Sequence, residues 1–136
     1  MTSQTAYQAN LASILIVDGD IVSRHVIADY LRHCEYAVVE AANTDEAYLA
    51  LCEPTLSIDV ILCDVSAIGS RSSFELATWV RSHRPELEVR LAAGTEVAAQ
   101  TAAELCETGP HLKRPYEPEA VIDYIKRLRA GRIAGS

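Results

Sequence analysis

Asp59–Asp64 reads DVILCD, four consecutive apolar side chains held between two carboxylates. A run this short and this uniformly apolar predicts a central strand of a parallel sheet, covered on both faces, with Asp64 carried to its carboxyl end. Upstream, Ser13–Val17 (SILIV) is a second such run, and Asp18 closes it. Between the two, Val22, Val26, Ile27, Tyr30 and Leu31 recur at helical spacing over Ile21–Cys34, with Asp20 as N-cap, and Tyr36–Glu40 supplies a Val-rich strand. Asn43 is placed to cap a helix running through Ala47, Leu49 and Leu51 to Cys52, which Pro54 stops. Downstream, Val65 to Ser73 reads as a loop, Phe74–His83 as an amphipathic helix ended by Pro85, and Val89–Ala93 as a fourth strand. An Ala-rich helix over Glu96–Glu107 stops at Gly109, and His111–Lys113 reads as a brief fifth strand. The last helix, Glu117–Ala130, sets Ala120, Val121, Tyr124, Ile125 and Leu128 on one face.

Strand alternating with helix five times predicts an α/β fold: a doubly wound, five-stranded parallel sheet with five helices on its two faces and right-handed crossovers. The expected division is a flexible tail over residues 1–12, one domain over 13–130 and a short tail over 131–136. A chain of 136 residues, 49% hydrophobic and 23% charged, suits a single domain. Twelve Lys and Arg against nineteen Asp and Glu leave a net charge of −7, which speaks against nucleic acid as a partner. No apolar run is long enough to span a bilayer, and the start MTSQTAYQAN is not a signal peptide, so no membrane contact and a cytoplasmic location are expected. Cys34, Cys52, Cys63 and Cys106 form no ligand spacing and are expected to be reduced, buried thiols.

In such a sheet ligands bind beyond the carboxyl ends of the strands. Those ends carry Asp18, Asp64, Ala93 to Thr95, and Lys113 to Pro115. If the first and third strands are neighbours, Asp18, Asp20 and Asp64 converge at one edge. Crowded carboxylates call for a cation, and hard oxygen ligands favour magnesium, with Lys113 and Arg114 as basic partners. Helix capping accounts for Asp20 equally well, whereas Asp64 precedes no immediate helix and points to function.

Taken in order, ILIVDGD, DVILCDV and LKRPYEPEAVI resemble the response-regulator receiver domain of two-component signalling over roughly Ser13–Leu128. The resemblance implies a flavodoxin-like receiver architecture in which Asp64 accepts a phosphoryl group from a histidine kinase or phosphotransfer protein. It implies weakly held magnesium, liganded by Asp18, Asp64 and the backbone carbonyl of Ser66, with Asp20 as an optional further ligand. It implies Arg114 as the cation pairing with the phosphoryl group in place of lysine, Ala93 and His111 at the switch positions, and a cis peptide before Pro115. Signalling would run through a downstream protein partner docking around Glu96–Lys113, with a homodimer left open. No enzyme activity is expected beyond autodephosphorylation, and no effector domain is expected after the final helix.

Several positions depart from the family pattern. Gly19 stands where a second adjacent acid is usual, Ala93 supplies no switch hydroxyl, and His111 replaces an aromatic residue. The loop after Asp64 reads SAIGSRSS without the usual Met-Pro pair. An alternative is therefore a degenerate receiver acting as a phosphorylation-independent interaction module. A further alternative follows from ILIVDGDIV, which also fits the opening motif of haloacid-dehalogenase-like phosphatases, with Asp18 as nucleophile and Asp20 as acid/base. That family's metal-binding acids should follow its lysine, whereas Asp64 precedes Lys113. The closing KRLRAGR reads as a favourable helix C-terminus.

Overall fold

The computed structural model describes residues 12–108 and 116–135, with side chains to residue 131. In chain order the elements are β1 Ser13–Val17, α1 Ile21–His33, β2 Ala37–Ala41, α2 Thr44–Cys52, β3 Val60–Asp64, α3 Ser73–His83, β4 Glu88–Ala92, α4 Thr95–Thr108 and α5 Pro118–Gly135. The four described strands form one parallel sheet in the order β2-β1-β3-β4. The expected fifth strand, His111–Lys113, lies outside the described residues.

Burial along each strand explains its composition. β1 is buried at every position and β3 through its middle, as expected for strands paired on both sides. β2 and β4 are paired on one side among the described residues and tolerate Glu40, Glu88 and Arg90. Successive side chains point to opposite faces, so the sheet feeds two cores. Ile14, Ile16 and Leu62 meet Ile27 and Leu31 of α1, Ala98, Ala102 and Ala103 of α4, and Val121 and Ile125 of α5. Leu15, Val17, Ile61 and Cys63 meet Ala47 and Leu51 of α2 and Leu76 and Val80 of α3. The chain steps from β1 outward to β2, then back across to β3 and β4. Right-handed crossovers accordingly put α1 on one face and α2 and α3 on the other.

Local signals set the helix starts. Asp20 Oδ1 accepts from the Val22 N–H at 3.0 Å and Asn43 Oδ1 from the Glu46 N–H at 2.8 Å, as their sequence positions predict. Ser72 and Glu75 form a reciprocal capping box, which starts α3 at Ser73, one residue before the expected Phe74. α5 continues to Gly135, past the expected end at Ala130.

The cysteine expectation needs correction. Cys34, the C-cap of α1, is disulfide-bonded to Cys106 in the last turns of α4, with Cα atoms 5.4 Å apart. Cys63 is free and buried, as expected, but Cys52 is exposed. The pairing arises because α1 and α4 pack on the same face of the sheet, a tertiary fact without a local spacing. Tyr36 fastens the same corner by donating its hydroxyl to the Leu105 carbonyl at 2.6 Å.

Candidate functional site

Val17 of β1 pairs in register with Cys63 of β3, so Asp18 and Asp64 leave neighbouring strands side by side at the carboxyl edge. Asp18 is fixed by its own backbone: its N–H donates to the Ala41 carbonyl at 3.0 Å, and its carbonyl accepts from Arg24 Nη1 at 2.9 Å. Its Oδ1 accepts the Asp20 N–H at 2.9 Å, folding the chain tightly around Gly19. Arg24 turns onward to Glu40 of β2, its Nε lying 3.1 Å from Oε1.

Electrostatics confirm that these acids share one region. Burial pushes the Asp18 carboxyl above its ordinary range; the Asp64 and Asp20 carboxylates add to the effect, while the Asp20 N–H and Arg24 oppose it. Burial, then the Asp64 and Asp18 carboxylates, push the Cys63 thiol up to about 12, which leaves it inert as a nucleophile at neutral pH.

Asp20 is in a different position. Burial opposes its ionisation, but the guanidinium of Arg129, on α5, outweighs it and holds the Asp20 carboxyl below its ordinary value. Arg129 Nη2 donates to Asp20 Oδ2 and, at 3.3 Å, to Thr95 Oγ1 at the start of α4. Thr95 in turn shares a 3.1 Å hydrogen bond with Ser23 of α1, whose side chain is fully buried. Arg129 was not anticipated as a site residue. The signal was present: Val121, Ile125 and Arg129 follow at intervals of four, which sets the arginine on the buried face of α5.

Asp64 sits half-buried at the end of β3, opposite Ala92 in the register with β4. Its carbonyl accepts the Ala67 N–H at 3.0 Å, and the Val65 N–H donates to the Ala92 carbonyl at 2.9 Å, so the chain turns away with Ser66 exposed. The following loop is pinned to α2 by Thr44, whose hydroxyl donates to the Arg71 carbonyl at 2.6 Å. A Cβ at Gly69 would overlap that hydroxyl, and the positive φ of Gly69 suits only glycine. Ala93 is exposed just past β4; neither it nor Ala92 carries a hydroxyl toward Asp64. His111, Lys113, Arg114 and Pro115 lie outside the described residues.

The strand register thus brings Asp18 and Asp64 to one edge, with Asp20 beside them. Among the described residues, no three His, Cys, Asp or Glu side chains cluster so as to hold an ion. Both oxygens of Asp20 are engaged, Oδ1 by the Val22 N–H and Oδ2 by Arg129. The Arg129 guanidinium offsets the Asp20 charge, so Asp20 is a poorer cation ligand than Asp18 or Asp64. The face expected to meet a partner around Glu96–Lys113 is also narrower than its sequence suggests. Ala98, Ala99, Thr101, Ala102, Ala103, Leu105 and Cys106 of α4 are buried.

No family model matches the chain. It is 29% identical over 121 residues to the transcriptional regulatory protein ResD of Bacillus subtilis, an overlap of 89% of this chain and 49% of ResD. The chain spans no more than about half the length of the curated relatives it matches. Among solved structures, the receiver domain of the hybrid histidine kinase CckA aligns with a TM-score of 0.59 at 26% identity, over 75% of this chain and 100% of that one. A CheY-like receiver domain protein from Methanospirillum hungatei aligns with a TM-score of 0.58 at 20% identity, over 93% and 100% of the two chains. No helix among the described residues is long and apolar enough to cross a membrane. The sheet order, the acidic carboxyl edge and these likenesses to response regulators and receiver domains together support a response-regulator receiver domain.

Proposed function

We propose that this receiver accepts a phosphoryl group on Asp64 from a histidine kinase or phosphotransfer protein in the cytoplasm, and that the modified domain signals through contacts with a downstream protein. One observation carries the reading: Asp64 presents a half-buried carboxylate at the end of a central strand, beside Asp18. A carboxylate oxygen of Asp64 would attack phosphorus in line; the phosphorus–nitrogen bond to the donor imidazole breaks, and the imidazole leaves carrying a proton. α1 and α4 begin at this edge, and their N-terminal dipoles favour the negative charge of a bound phosphoryl group.

The absence of a hydroxyl at Ala92 and Ala93 favours a second reading, an interaction module that binds its partner without phosphorylation. The phosphatase reading fares worse, because Asp20 caps α1 and pairs with Arg129, and its lowered pKa suits it poorly to donate a proton. Incubation with acetyl phosphate, followed by intact mass, separates the readings. One added phosphoryl group on the native chain, absent from Asp64→Asn, is the expected outcome. An unchanged mass overturns the phosphoacceptor reading and leaves the interaction module.

A further inference from the structure

α4 is held to the rest of the domain by unlike means at its two ends. At its start, Thr95 is hydrogen-bonded to Ser23 of α1 and to Arg129 of α5. Along its middle the face turned to the core is mostly alanine: Ala98, Ala99, Ala102 and Ala103 each bury a single methyl group, and Leu105 alone brings a branched aliphatic chain. Burial of so little side chain stabilises weakly. Near its end the exposed Arg90–Glu104 ion pair adds little. The attachment there falls to two links with the turn that closes α1, the hydrogen bond from the Tyr36 hydroxyl to the Leu105 carbonyl and the Cys34–Cys106 disulfide. That turn is fixed by its own backbone. The Glu35 N–H donates to the Arg32 carbonyl and the Tyr36 N–H to the Leu31 carbonyl, the paired bonds of a Schellman closure. Cys34 is thus held by a tight turn, whereas Cys106 is carried close to the end of a helix at Thr108.

We infer that Cys34–Cys106 is a reversible thiol–disulfide site: a dithiol reductant opens it, and the last turns of α4 then part from the Cys34 turn while the fold persists. Disulfides in a reducing cytoplasm are characteristically made and broken in use. The inference takes its reductant from the proposed cytoplasmic setting and is independent of whether Asp64 is phosphorylated. Both sulfurs belong to fully buried residues, so exchange proceeds through fraying of the last helical turn, where Glu107 and Thr108 are exposed. A thiolate of the reductant attacks Cys106 Sγ, the Cys34–Cys106 bond breaks, and Cys34 leaves as a thiolate that takes a proton. The second thiol of the reductant, deprotonated, attacks the reductant's own sulfur in the mixed disulfide, and Cys106 leaves and is protonated in turn. Both cysteines end as thiols and the dithiol ends as a disulfide. Internal reshuffling does not compete, because Cys63 lies in the core on the other face of the sheet and Cys52 on α2 belongs to that same side. Opening unfastens the end of the helix expected to face a partner, so the redox state sets how that face is presented.

The test equilibrates the whole chain, without denaturant, in mixtures of reduced and oxidised dithiothreitol, removes the reagent and pulses with iodoacetamide. Intact mass counts the alkylated thiols and peptide mapping places them. The oxidised chain should be modified on Cys52 and not on Cys34 or Cys106. The reduced chain should stay folded by circular dichroism and be modified on Cys106 and Cys34 as well. Cys63 is the internal control, because burial and its raised pKa leave it unreactive until the domain unfolds. Cys106 should react at least about tenfold faster than Cys63, the margin expected if the helix end opens more than about 1.4 kcal/mol more readily than the whole domain. Return to oxidised dithiothreitol should restore the bond. In Cys34→Ser, Cys106 should react at the rate of the reduced chain with no reductant present. A bond that dithiothreitol leaves closed in the folded chain overturns the inference, as does one that does not form again. A reduced chain whose Cys106 reacts no faster than Cys63 overturns it too. Labelling of Asp64 by acetyl phosphate is read separately, so an unphosphorylated chain can still support the thiol switch and a phosphorylated one can still refute it.

Discussion

Replacing Ile125 by alanine tests whether α5 belongs to the core. Ile125 is fully buried in the cluster that joins the sheet to α1 and α4. The substitution deletes three carbon atoms from that cluster. At about 0.8 kcal/mol per buried methylene, roughly 2.4 kcal/mol of transfer free energy is lost. A residual cavity raises the cost to about 3–4 kcal/mol, since a side chain gripped by three elements leaves little room for collapse. For a chain of 136 residues that corresponds to a fall in melting temperature of roughly 10–14 °C. Tyr124, its neighbour in sequence, is 48% exposed, and Tyr124→Ala should cost less than about 1 kcal/mol. Urea unfolding, followed in parallel by circular dichroism and by Trp79 fluorescence, measures both variants. Trp79 packs against the opposite core, so agreement of the two probes shows that the whole domain responds. A loss for Ile125→Ala no greater than that for Tyr124→Ala would refute the packing of α5 and, with it, the delivery of Arg129 to the acidic edge.

Other consequences follow from the acids and the cysteines. The disulfide closes a loop of sequence separation 72, so reduction, or Cys34→Ser, should lower stability by about 4 kcal/mol on the chain-entropy account; an unchanged urea midpoint in reductant would contradict the pairing of Cys34 with Cys106. In the native, unreduced chain, iodoacetamide should modify exposed Cys52 and spare Cys63, whose thiol is buried and pushed up to about 12. Peptide mapping checks both sites. Asp18 is less acidic in the folded chain than unfolded, so its favourable contribution is full below the unfolded value and is lost as pH rises through the raised native value. Asp18→Asn keeps an oxygen to accept the Asp20 N–H and removes a charge that faces Asp64, so it should raise stability at neutral pH and flatten the profile above about pH 4. A variant less stable than the native chain at neutral pH would show that the Asp18 charge is compensated after all.

Much of the fold was legible because its determinants are local or binary. SILIV and DVILCD are uniformly apolar because neighbours cover both faces and both edges of β1 and β3, whereas the charges in β2 and β4 mark strands at the edges of the described sheet. Asp20 and Asn43 cap helices through bonds to residues two and three positions on, so their sequence context contains the whole interaction. The disulfide and the Arg129 pair were not legible in that way. Cys34 and Cys106 are linked only by the choice of face on which α4 packs, and no short-range pattern records that choice.

Asp20 shows how a local and a tertiary role can coexist in one side chain. Capping and an acidic cluster had equal claims on it from sequence, and the structure divides the carboxylate between them: Oδ1 serves the α1 backbone and Oδ2 meets a charge carried in by α5. The division changes the chemistry of the edge. An aspartate used only as a cap would leave an oxygen for an ion from solvent, whereas one paired with Arg129 has its charge neutralised by the fold. Among the described residues no guanidinium hydrogen-bonds the Asp18 or Asp64 carboxylate in this way, and burial, with the neighbouring Asp64 and Asp20 carboxylates, raises the Asp18 pKa. Among the described residues, the cation that offsets Asp20 is therefore carried in by a residue more than a hundred positions away, and the Val121–Ile125–Arg129 stripe, in which a cation follows two buried apolar residues, is the feature of the sequence from which it could be read.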